Sequence, residues 1–246
     1  MTAGERPPPR PRGGEMEITP FWDALPGRAR EALRRAGATV IIRPGALLTR
    51  EHTRSSQVFV LRSGAVKVWT DRGGETVILD LLGPGDVVGE LEAADGGARQ
   101  ASAEALTAVE ALVLPADRFR AVLDAHPGAT WAVAAVLAER LRDANELRAA
   151  HFPDDPARRL AGRLLRLVAR FGTPLPGANG DGAAQVAVPV YQQDLGRWAG
   201  MGRRKVAGLL AEDPLREALT VARHRIAVRS VETLRRMAGE HGSAGR

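Results

Sequence analysis

The feature that most constrains this chain is a change of hydrophobic period near Pro115. Residues 38–115 read as short runs rich in Val, Ile and Leu: ATVIIR, ALLTRE, SQVFVLR, AVKVWT, ETVILDLL, DVVGE, ASAEAL and VEALVL. Turn signals separate them at Pro44-Gly45, Ser63-Gly64, Gly73-Gly74 and Gly83-Pro84-Gly85-Asp86. Short strands at that spacing predict an all-β sandwich or jelly roll. One or two short helices are expected before it, over Phe21–Leu33. Beyond Pro115 the period is helical. A short helix is expected over Asp117–Asp124, broken by His126-Pro127-Gly128, and a long one over 129–150. The long helix aligns Val133, Val136, Leu137, Leu141, Ala144 and Leu147 on one face. That stripe fits packing on its own sheet or pairing with a second copy, and it lacks a clean heptad.

A further helix is expected over residues 156–171. Its leucines, Val168 and Phe171 form one side, and Arg158, Arg159, Arg163, Arg166 and Arg170 form a solvated opposite side. Residues 172–184 read as a Gly/Pro-rich loop. The remainder reads as helix, turn, helix, hairpin and terminal helix. The fold class is therefore α+β.

Length and charge organise these elements. A chain of 246 residues suggests about two domains. Net charge is +6, but residues 1–150 sum to −1 and residues 151–246 to +7. The excess favours an anionic partner for the C-terminal part. Residues 1–17 read as a disordered arm, either an inert tail or an arm touching nucleic acid. There is no cysteine, which excludes disulfides, thiolate zinc sites and cysteine nucleophiles. The five histidines show no ligand spacing, so no metal is expected. The apolar run at Trp131–Ala138 is far below the ~18 residues of a membrane span. The N-terminus lacks a signal-peptide core, so a cytoplasmic protein with no membrane partner is expected. No P-loop, dinucleotide fingerprint or catalytic triad order is present, and no enzyme is expected.

Residues 83–106, GPGDVVGELEAADGGARQASAEAL, carry the most chemistry. Gly89 allows close backbone approach, and Glu90 opens one helical turn. A helix start offers free N–H groups to a phosphate, and Arg99 offers a cationic fork. Ser102 can donate a hydrogen bond, while ionised Glu90 suits a sugar hydroxyl. The opposing possibility is a Glu90–Arg99 ion pair in a pocket that binds nothing.

This segment resembles the phosphate-binding cassette of cyclic-nucleotide-binding domains. The resemblance rests on Gly89, Glu90, Leu91, Arg99, Ala101 and Ser102, preceded by VFVLRSGAVKVW and the GPGD turn. It implies that Arg99 binds a cyclic phosphate, Glu90 the ribose 2′-hydroxyl, and Ser102 with nearby amides the rest. Gln100 and, on the long helix, Asn145 join this expected ligand set. The implied effector is a cyclic nucleotide, cyclic AMP first. Glu92, Ala93 and Ala94 depart from the family's large aliphatic residues, Gln100 from a small one, and Glu51-His52-Thr53 from an E-G-D turn.

Residues 191–212, YQQDLGRWAGMGRRKVAGLLAE, read as a helix from Gln192 to Ala199, a turn at Gly200 and a second helix from Arg203. Leu195, Val206 and Leu210 fall at interior positions. The pattern resembles the DNA-binding motif of the cyclic-AMP receptor/fumarate-nitrate regulator superfamily, and the resemblance spans about residues 20–240. It makes Arg203 the base-contacting residue, able to grip guanine bidentately, with Gln192, Gly202, Arg204 and Lys205 beside it. Arg223, Arg225 and Arg229 of VARHRIAVRS become phosphate contacts on a wing. Gly202 replaces a capping Ser, Arg204 a Glu and Gly208 a second basic reader, while Pro214 ends the helix early.

The resemblance thus implies four parts: the arm at 1–17, a β-roll sensor at 18–128, a dimerisation helix at 129–150 and a winged helix-turn-helix at 151–246, with a hinge at 151–156. The implied protein is a homodimeric, ligand-responsive transcription regulator on double-stranded DNA, with RNA polymerase a further candidate partner. Two alternatives stay open: a regulator whose degenerate pocket needs no cyclic nucleotide, and a ligand-binding module whose helix-turn-helix meets a protein.

Overall fold

The computed structural model describes residues 19–149, 155–175, 183–222 and 225–239. The expected arm at 1–17, hinge residues 151–154 and Arg223 lie outside the described residues. The chain divides into two compact units. One comprises Thr19–Thr70 with Leu82–Arg142, the other Asp71–Leu81 with the chain from Asp143 onward.

The first unit opens with two short helices, α1 (Phe21–Ala24) and α2 (Gly27–Ala36). Strands follow: β1 (Ala38–Ile42), β2 (Leu47–Thr49), β3 (Gln57–Ser63), β4 (Val66–Arg72), β5 (Glu75–Leu82) and β6 (Val87–Val88). Then come α3 (Glu90–Asp95), β7 (Ser102–Ala105), β8 (Val109–Pro115), α4 (Ala116–Ala125) and α5 (Pro127–Ala149). The strands form two sheets, β1-β8-β3-β6 and β2-β7-β4-β5. The period of two decides which side chains go inside. Val66, Val68, Ala103 and Ala105 join the core of the roll, while Lys67 and Glu104 on the opposite face pair at 3.4 Å. Strand β3 is buried on both faces, and so reads as an unbroken apolar run. Phe59 and Leu61 enter the roll core, whereas Val58 and Val60 join Phe21, Leu33, Phe119 and Val133 in a second core under the helices.

Helix α4 stops at His126, whose N–H donates to the Val122 carbonyl (3.0 Å), and Pro127 starts α5 at a position where its missing N–H is harmless. The expected stripe of α5 is buried over only part of its length. Ala129, Ala132, Val133 and Val136 pack in the helix-side core and Leu137 lies partly against it. Leu141 is 61% exposed, and Ala144 is exposed too. Helical period identifies a face but not how far its cover extends.

The second unit takes Asp71–Leu81, which is the end of β4, the β4–β5 turn and nearly all of β5, together with α6 (Pro156–Phe171), β9 (Gly172–Pro174), β10 (Ala184–Val186), α7 (Gln192–Ala199) and α8 (Arg203–Ala211). After them come α9 (Leu215–Ala218), β11 (Leu219–Ala222), β12 (Arg225–Val228) and α10 (Val231–Ala238). The sheet runs β11-β12-β10-β9. Residues 172–184 are not wholly loop, because Gly172–Pro174 pairs with Ala184–Val186 as an edge strand. Asp155 caps α6 by accepting from the Arg158 N–H (2.9 Å), and Ser230 caps α10 by accepting from the Thr233 N–H (3.1 Å).

The arginine face of α6 overturns its expectation: Arg159, Arg163 and Arg166 are buried. Arg159 donates to the Ala199 carbonyl (3.0 Å), and Arg163 lies over the Trp198 ring (5.1 Å). Arg166 pairs with Asp143 and, at 3.6 Å, with Asp80, while Arg170 reaches Asp80 at 3.5 Å. Sequence pattern cannot distinguish a charged face in water from one buried against carboxylates distant in the chain. No single helix among the described residues is long and apolar enough to cross a membrane.

Candidate functional site

The cassette is built where β6 hands over to α3. Gly89 takes φ +92, a left-handed conformation that side chains other than glycine rarely adopt. A Cβ there would lie 2.6 Å from the Gln57 carbonyl oxygen and closer still to Arg99 Nη1. Only glycine therefore lets the Arg99 guanidinium lie against this turn. Gly96, also left-handed at φ +71, closes the six-residue helix.

Arg99 is 2% exposed, and each of its three guanidinium nitrogens has a partner. Its Nε and Nη2 donate to Ser55 Oγ at 3.2 and 2.8 Å, and Nη2 also donates to the Gln57 carbonyl. Its Nη1 donates to Glu92 Oε2 at 2.6 Å. The other oxygen of Glu92 accepts from the Gln100 backbone N–H at 3.2 Å. The Glu90–Arg99 ion pair, the opposing possibility from sequence, is not what forms. Glu90 instead accepts from Arg140 of α5, whose Nη2 also donates to the Val87 carbonyl at 2.8 Å. Burial pushes the Glu90 carboxyl above its ordinary range, and the attraction of Arg140 offsets this only in part.

The remaining candidates have other places. Leu91 is partly buried, and the Gln100 residue is exposed. The Ala101 carbonyl accepts weakly from Thr49 Oγ1 (3.4 Å), and Ser102 Oγ accepts from the Glu51 N–H (3.0 Å). Asn145 falls in the second unit, where it is exposed. The turn at 51–53 is tied to the cassette by His52 N–H to the Arg99 carbonyl (2.8 Å) and Arg99 N–H to the Thr53 carbonyl (2.9 Å). His52 adopts φ +64, taking the left-handed position that the resemblance assigns to glycine.

Sequence reasoning missed Glu92, Arg140, Ser55 and Gln57 as cassette residues. Glu92 carried a signal, since a carboxylate in a strand-bounded turn needs a donor and Arg99 lay near in sequence. Arg140, 50 residues from Glu90, carried none.

The second candidate site lies on α7 and α8. Asp194 Oδ2 accepts from the Tyr191 N–H (3.1 Å), and left-handed Gly200 ends α7. Leu195, Trp198 and Val206 are buried beneath the motif, while Leu210 is only partly so. Gly202 caps α8 without a side-chain hydrogen bond. Its first turn presents Arg203, Arg204 and Lys205, all exposed. A groove of about 420 Å³ is lined by Tyr191, Gln192, Gln193 and Arg203 with Val221 and Ala222 of β11. Arg225 is exposed on the hairpin. Arg229 instead bonds the Glu217 and Arg216 carbonyls (2.7 and 2.8 Å) and Thr220 Oγ1 (2.7 Å), which fixes the hairpin to α9. Among the described residues no cluster of three or more His, Asp or Glu is suited to a metal ion.

Residues 39–126 match the family model of the cyclic nucleotide-binding domain. The chain is 32% identical over 157 residues to the CRP-like cAMP-activated global transcriptional regulator of Mycobacterium tuberculosis, covering 63% of this chain and 68% of that protein. It is 37% identical over 120 residues to the cyclic AMP receptor protein of Thermus thermophilus, covering 48% and 55%. Its fold is similar to that of FixK2 from Bradyrhizobium japonicum, with TM-score 0.69 and 20% identity over 82% of this chain and 96% of that one. With the β-roll, the long helix and the winged motif in place, these likenesses assign the chain to the CRP/FNR superfamily of transcription regulators.

Proposed function

We propose that this regulator binds double-stranded DNA as a homodimer and that a small-molecule effector of the cyclic-nucleotide class acts at the cassette. The observation that carries the DNA reading is the first turn of α8. Three cations stand exposed at the end of a helix whose other face is anchored by buried Val206. A helix held that way can enter the major groove, with Arg203 reading base edges and Arg204 and Lys205 touching phosphates. Arg225 extends the basic surface along the hairpin. The dimer reading rests on α5, where Trp131 (70% exposed) and Leu141 leave apolar surface uncovered on the single chain. A two-fold dimer would read half-sites ~34 Å apart.

Selection from random-sequence duplexes tests this. Enrichment of a pseudo-palindrome, lost in Arg203→Ala, is expected; no enrichment, with Arg203→Ala indistinguishable from wild type, would overturn it in favour of a protein partner. For the effector, cyclic AMP is the first candidate, because the M. tuberculosis and T. thermophilus relatives are named for it. A second reading, a regulator that works without cyclic nucleotide, is favoured by one observation: Arg99 already holds a carboxylate.

A further inference from the structure

We propose that Glu92 is a built-in anion occupying the phosphate position of the cassette, so that an anionic effector binds only by displacing it. The inference rests on the reading of the cassette as a cyclic-nucleotide site and adds what controls that site. A phosphodiester held there would need a guanidinium N–H and a backbone N–H. One Glu92 carboxylate takes both, with Oε2 on Arg99 Nη1 at 2.6 Å and Oε1 on the Gln100 N–H at 3.2 Å.

Three further observations make the contact a built one. The pair is buried, with side chains 2% and 10% exposed, so water competes poorly for either partner. Arg99 is fixed independently of Glu92, because Ser55 and the Gln57 carbonyl hold its Nε and Nη2. Nη1 is thus the donor aimed at whatever anion is present. Third, α3 is bounded by left-handed glycines at both ends, which fixes the turn that carries Glu92 over Arg99.

The consequence is electrostatic. With Glu92 in place the cradle is neutral, and a monoanionic guest gains little from Arg99 until the carboxylate leaves. Removing the carboxylate leaves a positioned, desolvated guanidinium, a strong anion site. Glu92 would then set the threshold for the effector.

The test compares full-length wild type, Glu92→Ser and Glu92→Gln by calorimetry and by ligand-induced shifts in melting temperature. Glu92→Gln keeps the length and an acceptor, which guards against misfolding of the smaller variant. The probes are cyclic AMP and inorganic phosphate, each to millimolar concentration. The expected result is that both variants bind cyclic AMP roughly tenfold or more tighter than wild type, and that adding Arg99→Ala abolishes the gain. A gain for inorganic phosphate alone keeps the built-in anion and removes the cyclic-nucleotide reading. Wild type binding cyclic AMP as tightly as the variants overturns the built-in anion and leaves the cassette reading intact. No binding by any form to either probe overturns both.

Discussion

At the scale of single residues, the cassette separates two glutamates two positions apart. Glu92 is held by Arg99, and Glu90, 2% exposed, by Arg140. For Glu90, burial outweighs the attraction of its partner and raises the pKa above the ordinary 4.5. The folded state therefore takes up the Glu90 proton more readily than the unfolded chain does. That contribution to stability is fully present below the unfolded pKa and is lost as pH rises through the folded one. Glu90→Gln keeps the neutral form at every pH, and Arg140, 26% exposed, retains water. The variant should melt above wild type near neutral pH, and the two should converge by about pH 4. Thermal melts of both proteins across this range check it; a gap that widens toward acid would contradict the assignment. Which glutamate met which arginine was not legible in the sequence. The glycine turn and Arg99 were legible, because they depend on local backbone geometry and a charge in a fixed motif. The partners of both glutamates depend on burial and on α5.

At the scale of elements, local rules carried further. The strand runs, the His126-Pro127 break and both helices of the helix-turn-helix follow from period, glycine and proline, each a property of a few neighbouring residues. The α6 arginines were misread because amphipathic period reports only that two faces differ, and buried ion pairs make the same pattern as water. Helix α8 shows how an element can be weak without being wrong. It lacks a side-chain cap at Gly202 and carries Gly208 in its interior, where a Cβ would meet nothing within 4 Å. Gly208→Ala should therefore stabilise the second unit by about 0.5–1 kcal/mol, the ordinary gain of alanine over glycine in a helix. Denaturant unfolding measures it, and a loss of stability would mean that this face of α8 is covered. If α8 enters a major groove, the new methyl also probes that contact, so stability and DNA affinity should be measured on the same variant.

At the scale of the molecule, the +7 carried by residues 151–246 overstates what a polyanion would meet. Arg166 and Arg170 face Asp80 and Asp143, both from the first 150 residues, and Arg159 and Arg163 are buried among carbonyls, carboxylates and Trp198. Burial lowers the pKa of Arg163 and raises that of Asp143, so both ionised forms are held at a desolvation cost. On the proposed reading, the cations left for DNA are those outside this cluster, chiefly Arg203, Arg204, Lys205 and Arg225. These two sets should separate in salt dependence, because only cations that displace counterions enter the slope of log K against log salt. Arg204→Ala should lower that slope by about one per half-site and weaken binding evenly across sequences, with little change in stability. Arg203→Ala should cost about 1–3 kcal/mol at the preferred site and relax sequence preference there. Arg166→Met should leave the slope unchanged while strongly destabilising the second unit, since Asp143 and Asp80 lose a buried partner; breaking such a pair typically costs about 3–5 kcal/mol. Fluorescence anisotropy over a salt series, with a denaturant melt for each variant, checks all three. A lowered slope for Arg166→Met in a protein that remains folded would place α6 on the nucleic-acid surface and restore the simple reading of the charge.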